Sequence, residues 1–392
     1  MKNQYNKTIT ACFVGYIVQA VVNNFTPLLF LFFQKSYHVP ISQITLLVTF
    51  NFGIQLLVDL LSVRFIDKIG YRVSMIAAHA LAAAGLLLLT VLPEILPVPF
   101  IGILIAVMIY AIGGGLLEVL VSPVVEACPS DNKEKAMSLL HSFYCWGAVA
   151  VILFSTAFFT IFGINNWRIL ACIWALIPIC NVFNFLTCPI ESLTEDGQGL
   201  SIRQLCNIPI FWVALVLMVC AGASEISMAQ WASAYTESAL GLSKSIGDIA
   251  GPSLFAVTMG ISRSFYGKYG EKIDLMKFMT ASGILCLICY LLAALGPYPI
   301  LGLIGCIMCG FSVGIMWPGT ISIASSKIPM GGTAMFALLA MAGDMGGSIG
   351  PCVVGFVTQN AGDNLKAGML AGCIFPVILV LSVCLLKYKK SK

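Results

Sequence analysis

The stretch Phe100-Ile-Gly-Ile-Leu-Ile-Ala-Val-Met-Ile-Tyr110-Ala-Ile-Gly-Gly-Gly-Leu-Leu-Glu118-Val-Leu-Val-Ser122-Pro123-Val-Val-Glu126 is apolar almost throughout, yet it carries two carboxylates. A bilayer core about 30 Å thick needs roughly 20 apolar residues per helical crossing, so this stretch reads as a transmembrane helix. A carboxylate inside such a helix costs about 2.5 kcal/mol or more. It is kept where it lines a cavity, meets a partner or carries a proton. Glu118 is therefore the first clue to what the chain moves.

Working outward, eleven further stretches of the same kind fill the chain. The spans read as 8–33, 43–65, 73–92, 100–126, 136–162, 167–187, 210–236, 246–266, 275–296, 299–325, 332–357 and 366–386. The first is too long for a signal-peptide core and has no cleavage pattern after it, so it stays a membrane helix. Only 10% of residues are charged, against about a quarter in a soluble domain, and the mean hydropathy is +0.97. An all-α membrane protein is expected. No extramembrane segment is long enough for a catalytic domain and no nucleophile–base pair is visible, so an enzyme is not expected.

With both termini cytoplasmic, seventeen of the 21 Lys and Arg, Arg263 among them, fall in inside segments. That is the positive-inside pattern of a multi-pass protein, here placed in a bacterial inner membrane. The net charge of +4 follows from this topology and implies no nucleic acid. Cys286-Leu-Ile-Cys289 and Cys306-Ile-Met-Cys309 have a metal-like spacing, but they lie in apolar spans without nearby His or acids. They read as small hydrophobes, so neither a metal nor a cofactor is expected. His38 and His79 stand isolated, and Trp167 beside Arg168 reads as a membrane-interface anchor.

The segment Glu191-Ser-Leu-Thr-Glu-Asp-Gly-Gln-Gly-Leu-Ser-Ile-Arg203 is polar and central, which makes it a cytoplasmic linker. The expected domains are 1–188, a six-helix bundle, 189–208, the linker, and 209–392, a second six-helix bundle. The halves echo each other. Asp67-Lys-Ile-Gly70-Tyr-Arg72 follows the second span, and Gly267-Lys-Tyr-Gly270-Glu-Lys272 follows the eighth, 200 residues later. Gly147 and Gly347 keep the same offset. Parallel six-helix repeats with a midplane site are a secondary-transporter architecture. The Asp-Lys-x-Gly-x-Arg turn resembles the loop signature of the major facilitator superfamily, with Val63 where the family carries a glycine. The resemblance implies that fold, with twelve helices.

Helical spacing sorts the remaining polar residues into faces. Glu118, Ser122 and Glu126 stand at i, i+4 and i+8, and so do Asn51, Gln55 and Asp59. Gln19, Asn23 and Thr26 share a third face, with Asn24 beside it. Ser224, Ser227, Trp231 and Tyr235 form a fourth, with Glu225 alongside. Lipid disfavours such faces, so each turns toward protein or water. Two readings stay open for many of them. Ser122 and Ser224 suit helix–helix contacts. Asp59 and Glu126, near Arg64, Lys133 and Lys135, suit gating or structural ion pairs, and Asp67 and Arg72 suit the same role in the turn. Asp344 either caps a broken helix or lines a cavity.

Gly115-Leu-Leu-Glu118-Val-Leu-Val-Ser122-Pro123 is similar to the Gly-x-x-Glu-x-x-x-Asn-Pro pattern of the fucose permease-like sugar:proton symporters. Leu139 to Ala148 and Val22-Asn23-Asn24-Phe25 resemble that family's fifth and first spans. The resemblance implies that Glu118 is the proton-linked carboxylate, that Asn23 and Asn24 contact substrate, and that His141 takes a substrate-binding position. Ser122 replaces the family's asparagine. Thr26 and Pro27 stand where its type member has an acid, which would shift a second coupling carboxylate to Glu225 or Asp344.

A sugar also suits the residue types. Amides donate and accept together, as hydroxyls do, and an indole or phenol covers an apolar sugar face. Solute-binding candidates are Gln19, Asn23, Asn24, Gln55, His141, Tyr144, Trp146, Trp231, Tyr235 and Trp317, although aromatics in helices also simply pack. Proton-coupling candidates are Glu118, Glu225 and Asp344; burial raises a carboxyl pKa because the charged form loses its hydration. The expected function is proton-coupled uptake of a monosaccharide by alternating access of a monomer, with sodium open as the coupling ion. Proton-coupled efflux of amphipathic compounds is the alternative, and a transport-silent sensor is a third reading.

Overall fold

The computed structural model describes residues 2–130, 132–191, 199–240, 253–362 and 364–388, and for some of these, 231–240 and Asp67 among them, only the backbone. Among the described residues the regular elements are helices. Among the described residues, eleven helical stretches are long and apolar enough to cross a bilayer. The expected span at 246–266 begins outside the described residues, and its described part is the helix Leu254–Tyr269. Burial is inverted relative to a protein in water. Ile161 is 71% exposed and Phe356 69%, while Asp59 and His79 are fully buried. Apolar side chains facing outward and polar ones facing inward are what hydrocarbon surroundings demand.

The chain divides into two compact units: Met1–Ser130, Trp146–Gly199 and Gly332–Ala337, and Asp131–Cys145, Leu200–Gly331 and Leu338–Lys392. In the first, α1 (Lys2–Asn24) runs into a 3-10 turn at Thr26–Leu29 and the short α2 (Phe30–Ser36). Pro27 cannot donate into a continued ladder, so the first span breaks just past Asn23 and Asn24. Then follow α3 (Ile41–Ile69), α4 (Tyr71–Ile95) and α5 (Pro99–Ala127). The helix α6 (Lys133–Phe162) is shared, its residues from Trp146 belonging here, and α7 (Trp167–Thr187) completes the unit. The helix α5 packs on α1, α3 and α4, and α7 on α1 and α4. Small residues allow the closest of these contacts: a Cβ on Gly113 would lie 2.5 Å from the Ala78 carbonyl oxygen.

The second unit holds the short α8 (Ile202–Cys206), whose Ser201 and Gln204 form a capping box, and α9 (Pro209–Leu240). After α10 (Leu254–Tyr269) and α11 (Leu275–Leu295), one membrane crossing is split into α12 (Pro299–Val313) and α13 (Met316–Lys327) by a turn at Gly314–Ile315. The helices α14 (Gly332–Asn360), α15 (Leu365–Gly372) and α16 (Ile374–Tyr388) close the chain. Here α11 packs on α12, α15 and α16, and α9 on α12, α13 and α16.

The two sequence echoes are built differently. Gly70 has φ +88, a conformation open to glycine alone among common residues, and it turns α3 into α4. Gly270 has φ −57; it is glycine because a Cβ there would lie 2.9 Å from the Tyr266 ring. Arg72 does more than hold its turn at one face, because its Nη1 donates to the Phe185 and Leu186 carbonyls at 2.8 and 3.1 Å. It thereby caps the C-terminal end of α7.

Candidate functional site

In the first unit, three polar faces meet. From α1, the Gln19 amide donates to Glu118 Oε2 of α5 at 2.9 Å. Four residues on, Asn23 Oδ1 accepts from Gln55 Nε2 at 2.9 Å and from Asn51 Nδ2 at 3.2 Å, both on α3. The faces converge because Gly114 and Gly115 of α5 leave room for α1 and α3. A Cβ on Gly114 would meet Val22 at 3.1 Å, and one on Gly115 would meet Gln55 Cα at 3.0 Å. Gln19, Gln55 and Asn51 are buried, whereas Asn23 and Glu118 are partly accessible. The cluster therefore couples one partly accessible carboxylate to a set of neutral amides, and such a set matches a polyhydroxylated solute donor for acceptor.

Around this array two further polar pairs form. Tyr16 and Ser122 share a hydrogen bond at 2.9 Å, and the Tyr110 hydroxyl donates to Thr26 Oγ1 at 2.8 Å. Asn24 stands apart: its Nδ2 donates to the Ala20 carbonyl of its own helix at 2.9 Å. Asp59 and Glu126 are both buried. Lys135, which the sequence offered as a partner for Glu126, reaches Glu271 at 2.7 Å. Trp146 is 38% exposed.

Two features of this unit escaped the sequence reading. His79 is not isolated. Its Nδ1 faces the Met75 carbonyl at 2.7 Å, and Nε2 faces Asn181 Nδ2 at 2.8 Å. Asn181 also donates to the Ala11 carbonyl at 2.9 Å, so the group ties α1, α4 and α7 together. With the amide as donor, the network assigns the proton to Nδ1. Trp167 is no interface anchor. It is fully buried, with its ring against Phe32 and Phe33. Nearby, Tyr37 donates to Glu94 at 2.7 Å, and Arg168 pairs with Glu94. Burial, and then that bond to Glu94, push the Tyr37 phenol above its usual range.

In the second unit, Glu225 of α9 is paired. Arg263 of α10, placed by sequence in a cytoplasmic segment, is 3% exposed and its Nη2 meets Glu225 Oε2 at 3.3 Å. A basic residue four positions inside the expected span was the available signal. His141 is buried and its carbonyl accepts from Arg263 at 3.2 Å; Tyr144 is partly buried. The Trp317 ring lies against Gly343, where a Cβ could not fit. Asp344 sits within the unbroken α14, which removes the reading as a cap on a broken helix. The side chains of Trp231 and Tyr235 lie outside the described residues. Cys286 and Cys309 approach to 3.8 Å, yet among the described residues no group of three His, Cys, Asp or Glu is arranged to hold a metal.

A family model described as Major Facilitator Superfamily matches residues 11–351. Among solved structures, the chain is similar to a variant of the E. coli fucose:proton symporter FucP, with a TM-score of 0.80 at 18% identity over 97% of this chain and 99% of that one. The proton:xylose symporter XylE has a TM-score of 0.81 at 12% identity, covering 98% and 96%. The human organic anion transporter MFSD10 has a TM-score of 0.77 at 14% identity, covering 96% and 99%. Comparison with curated proteins finds no match. At these identities the structural similarity speaks for the fold alone. Together with the family match over most of its length, it makes this all-helical, multi-pass chain a member of the major facilitator superfamily, a family of membrane transporters.

Proposed function

We propose that the protein imports a monosaccharide, a hexose or 6-deoxyhexose, together with a proton by alternating access. The observation that carries this reading is the array of Gln19, Asn23, Asn51 and Gln55 beside Glu118. Neutral amides on two helices can exchange their mutual hydrogen bonds for bonds to sugar hydroxyls without stranding a charge. The Gln19 amide that donates to Glu118 Oε2 is neutral, so a proton added there strands no charge on that neighbour. One charge moving through about 100 mV releases about 2.3 kcal/mol, enough for roughly fifty-fold accumulation at 1.4 kcal/mol per decade. The sugar:proton symporters FucP and XylE share the fold, which supports the reading, but the organic anion transporter MFSD10 shares it too. The polar array is what favours a sugar.

In this reading Gln19, Asn23 and Gln55 bind solute, and Asn51 joins them. Asn24, His141, Tyr144, Trp146, Trp231, Tyr235 and Trp317 are secondary candidates, as is Asp344 for coupling. Asp59, Asp67, Arg72 and Glu126 serve structure or gating. The protein is placed as a monomer in a bacterial inner membrane, with two six-helix halves and both termini cytoplasmic.

The test is a melting-curve screen of the purified protein against hexoses, 6-deoxyhexoses, amino sugars and cationic dyes. A ligand at 100 times its dissociation constant adds about 2.7 kcal/mol to stability. Stabilisation by one sugar family is expected, and stabilisation by dyes alone would sink the uptake reading in favour of efflux.

A further inference from the structure

Arg263 is held from every side. Its Nε donates to the Gly314 carbonyl at 2.9 Å, and Nη1 to the His141 carbonyl at 3.2 Å and Cys145 Sγ at 3.0 Å. Nη2 reaches Glu225 Oε2 at 3.3 Å. The Arg263 carbonyl in turn accepts from Ser138 Oγ at 2.8 Å. Its side chain is 4% exposed and that of Glu225 is 14% exposed.

The Gly314 contact gives this arrangement its purpose. The crossing made by α12 and α13 breaks at Gly314–Ile315, and a broken helix frees carbonyls that hydrocarbon cannot satisfy. At the break α10 comes very close: a Cβ on Gly314 would lie 2.7 Å from Ser262 Cβ. Arg263, the next residue on α10, supplies the missing donor.

We propose that Arg263 is a positioning residue that fixes the α12–α13 break, and that Glu225 is its counter-ion rather than a second proton carrier. The guanidinium is always charged, and its fork serves several acceptors at once. Neutralising Glu225 would remove a carboxylate that faces this buried charge, a strongly unfavourable change. A carboxylate bound to this duty is poorly suited to loading and releasing a proton in each cycle. In its transport arm the inference rests on the proposed function; in its stability arm it does not.

The experiment compares Arg263→Gln, Glu225→Gln, the double variant and Arg263→Lys in the full chain. By thermal unfolding, each single Gln variant is expected to lower Tm by several degrees. The double variant should recover much of that loss, because both buried charges go together. Arg263→Lys keeps the charge but cannot reach Gly314, His141 and Glu225 at once, so it should rescue only in part. Additive losses in the double variant would overturn the pairing, and full rescue by Lys would overturn the positioning role. In proteoliposomes, with L-fucose and D-xylose as probes, the double variant should retain accumulation driven by a pH gradient. Retained exchange with lost accumulation would make Glu225 a proton carrier and overturn the proposal. If wild-type protein moves neither probe, the melting comparison alone decides.

Discussion

Each unit carries a partly accessible carboxylate within a membrane-spanning helix, and the two carboxylates have opposite surroundings. Glu118 accepts from the Gln19 amide of α1. Glu225 faces a guanidinium already bonded to the break at Gly314. A carboxylate that accepts from an amide can gain a proton without leaving that amide charged. One paired with a buried cation resists it, because protonation strands the cation. On the proposed reading, the same residue type serves exchange in one place and anchorage in the other, and the neighbour decides which.

The largest effect expected from this contrast is at Glu118. Glu118→Gln keeps the shape and the Gln19 contact but removes the titratable group. Exchange of sugar across equal concentrations should persist, while accumulation driven by a pH gradient should fall to a ratio of one. Both are read by radiolabelled sugar in proteoliposomes. Normal accumulation in the variant would erase the difference between the two carboxylates.

At Glu225 the loss should appear first in stability. Removing one partner of a buried ion pair costs about 3–5 kcal/mol. Glu225→Gln is therefore expected to be far less stable to heat than Glu118→Gln, whose carboxylate has a neutral partner. Equal melting temperatures for the two variants would show that the environments do not differ in the way the geometry implies.

How much of this was legible in the sequence depends on what periodicity can carry. The i, i+4 spacing of Asn51 and Gln55, and of Gln19 and Asn23, places each pair on one helix face. The structure shows those faces meeting at Asn23. Spacing says which residues share a face and nothing about which neighbouring helix covers it, so the Gln19–Glu118 bond could not be read. Arg263 was miscast for a related reason: a count of charges by segment treats any basic residue near a span's end as exposed to water. His79 looked solitary because its partner Asn181 is 102 residues away. Trp167 looked like an anchor from its neighbour Arg168, although Phe32 and Phe33, far off in sequence, enclose it.

A smaller effect belongs to the amides. Asn51→Leu and Gln55→Leu should each weaken sugar binding by roughly tenfold, about the 1–3 kcal/mol that a lost partner leaves on a buried polar group. The melting shift at fixed sugar measures this. Because Asn23 Oδ1 accepts from both residues, the double variant should lose less than the sum. Strict additivity would mean that the two side chains act at separate places.

The smallest effect is expected at the pair with the shorter distance. Lys135 Nζ lies 2.7 Å from Glu271 Oε1, closer than Arg263 lies to Glu225 at 3.3 Å. Ranked by distance, the first pair would be the stronger. Its side chains are 33% and 61% exposed, against 4% and 14% for the other. In water each partner of a broken pair is simply rehydrated, and exposed pairs contribute about 0–1 kcal/mol. Lys135→Ala should therefore change the melting temperature by a degree or two at most, and added salt should remove even that difference. A loss at Lys135 as large as that at Glu225 would mean that proximity, and not exclusion from water, sets the strength of ion pairs in this unit.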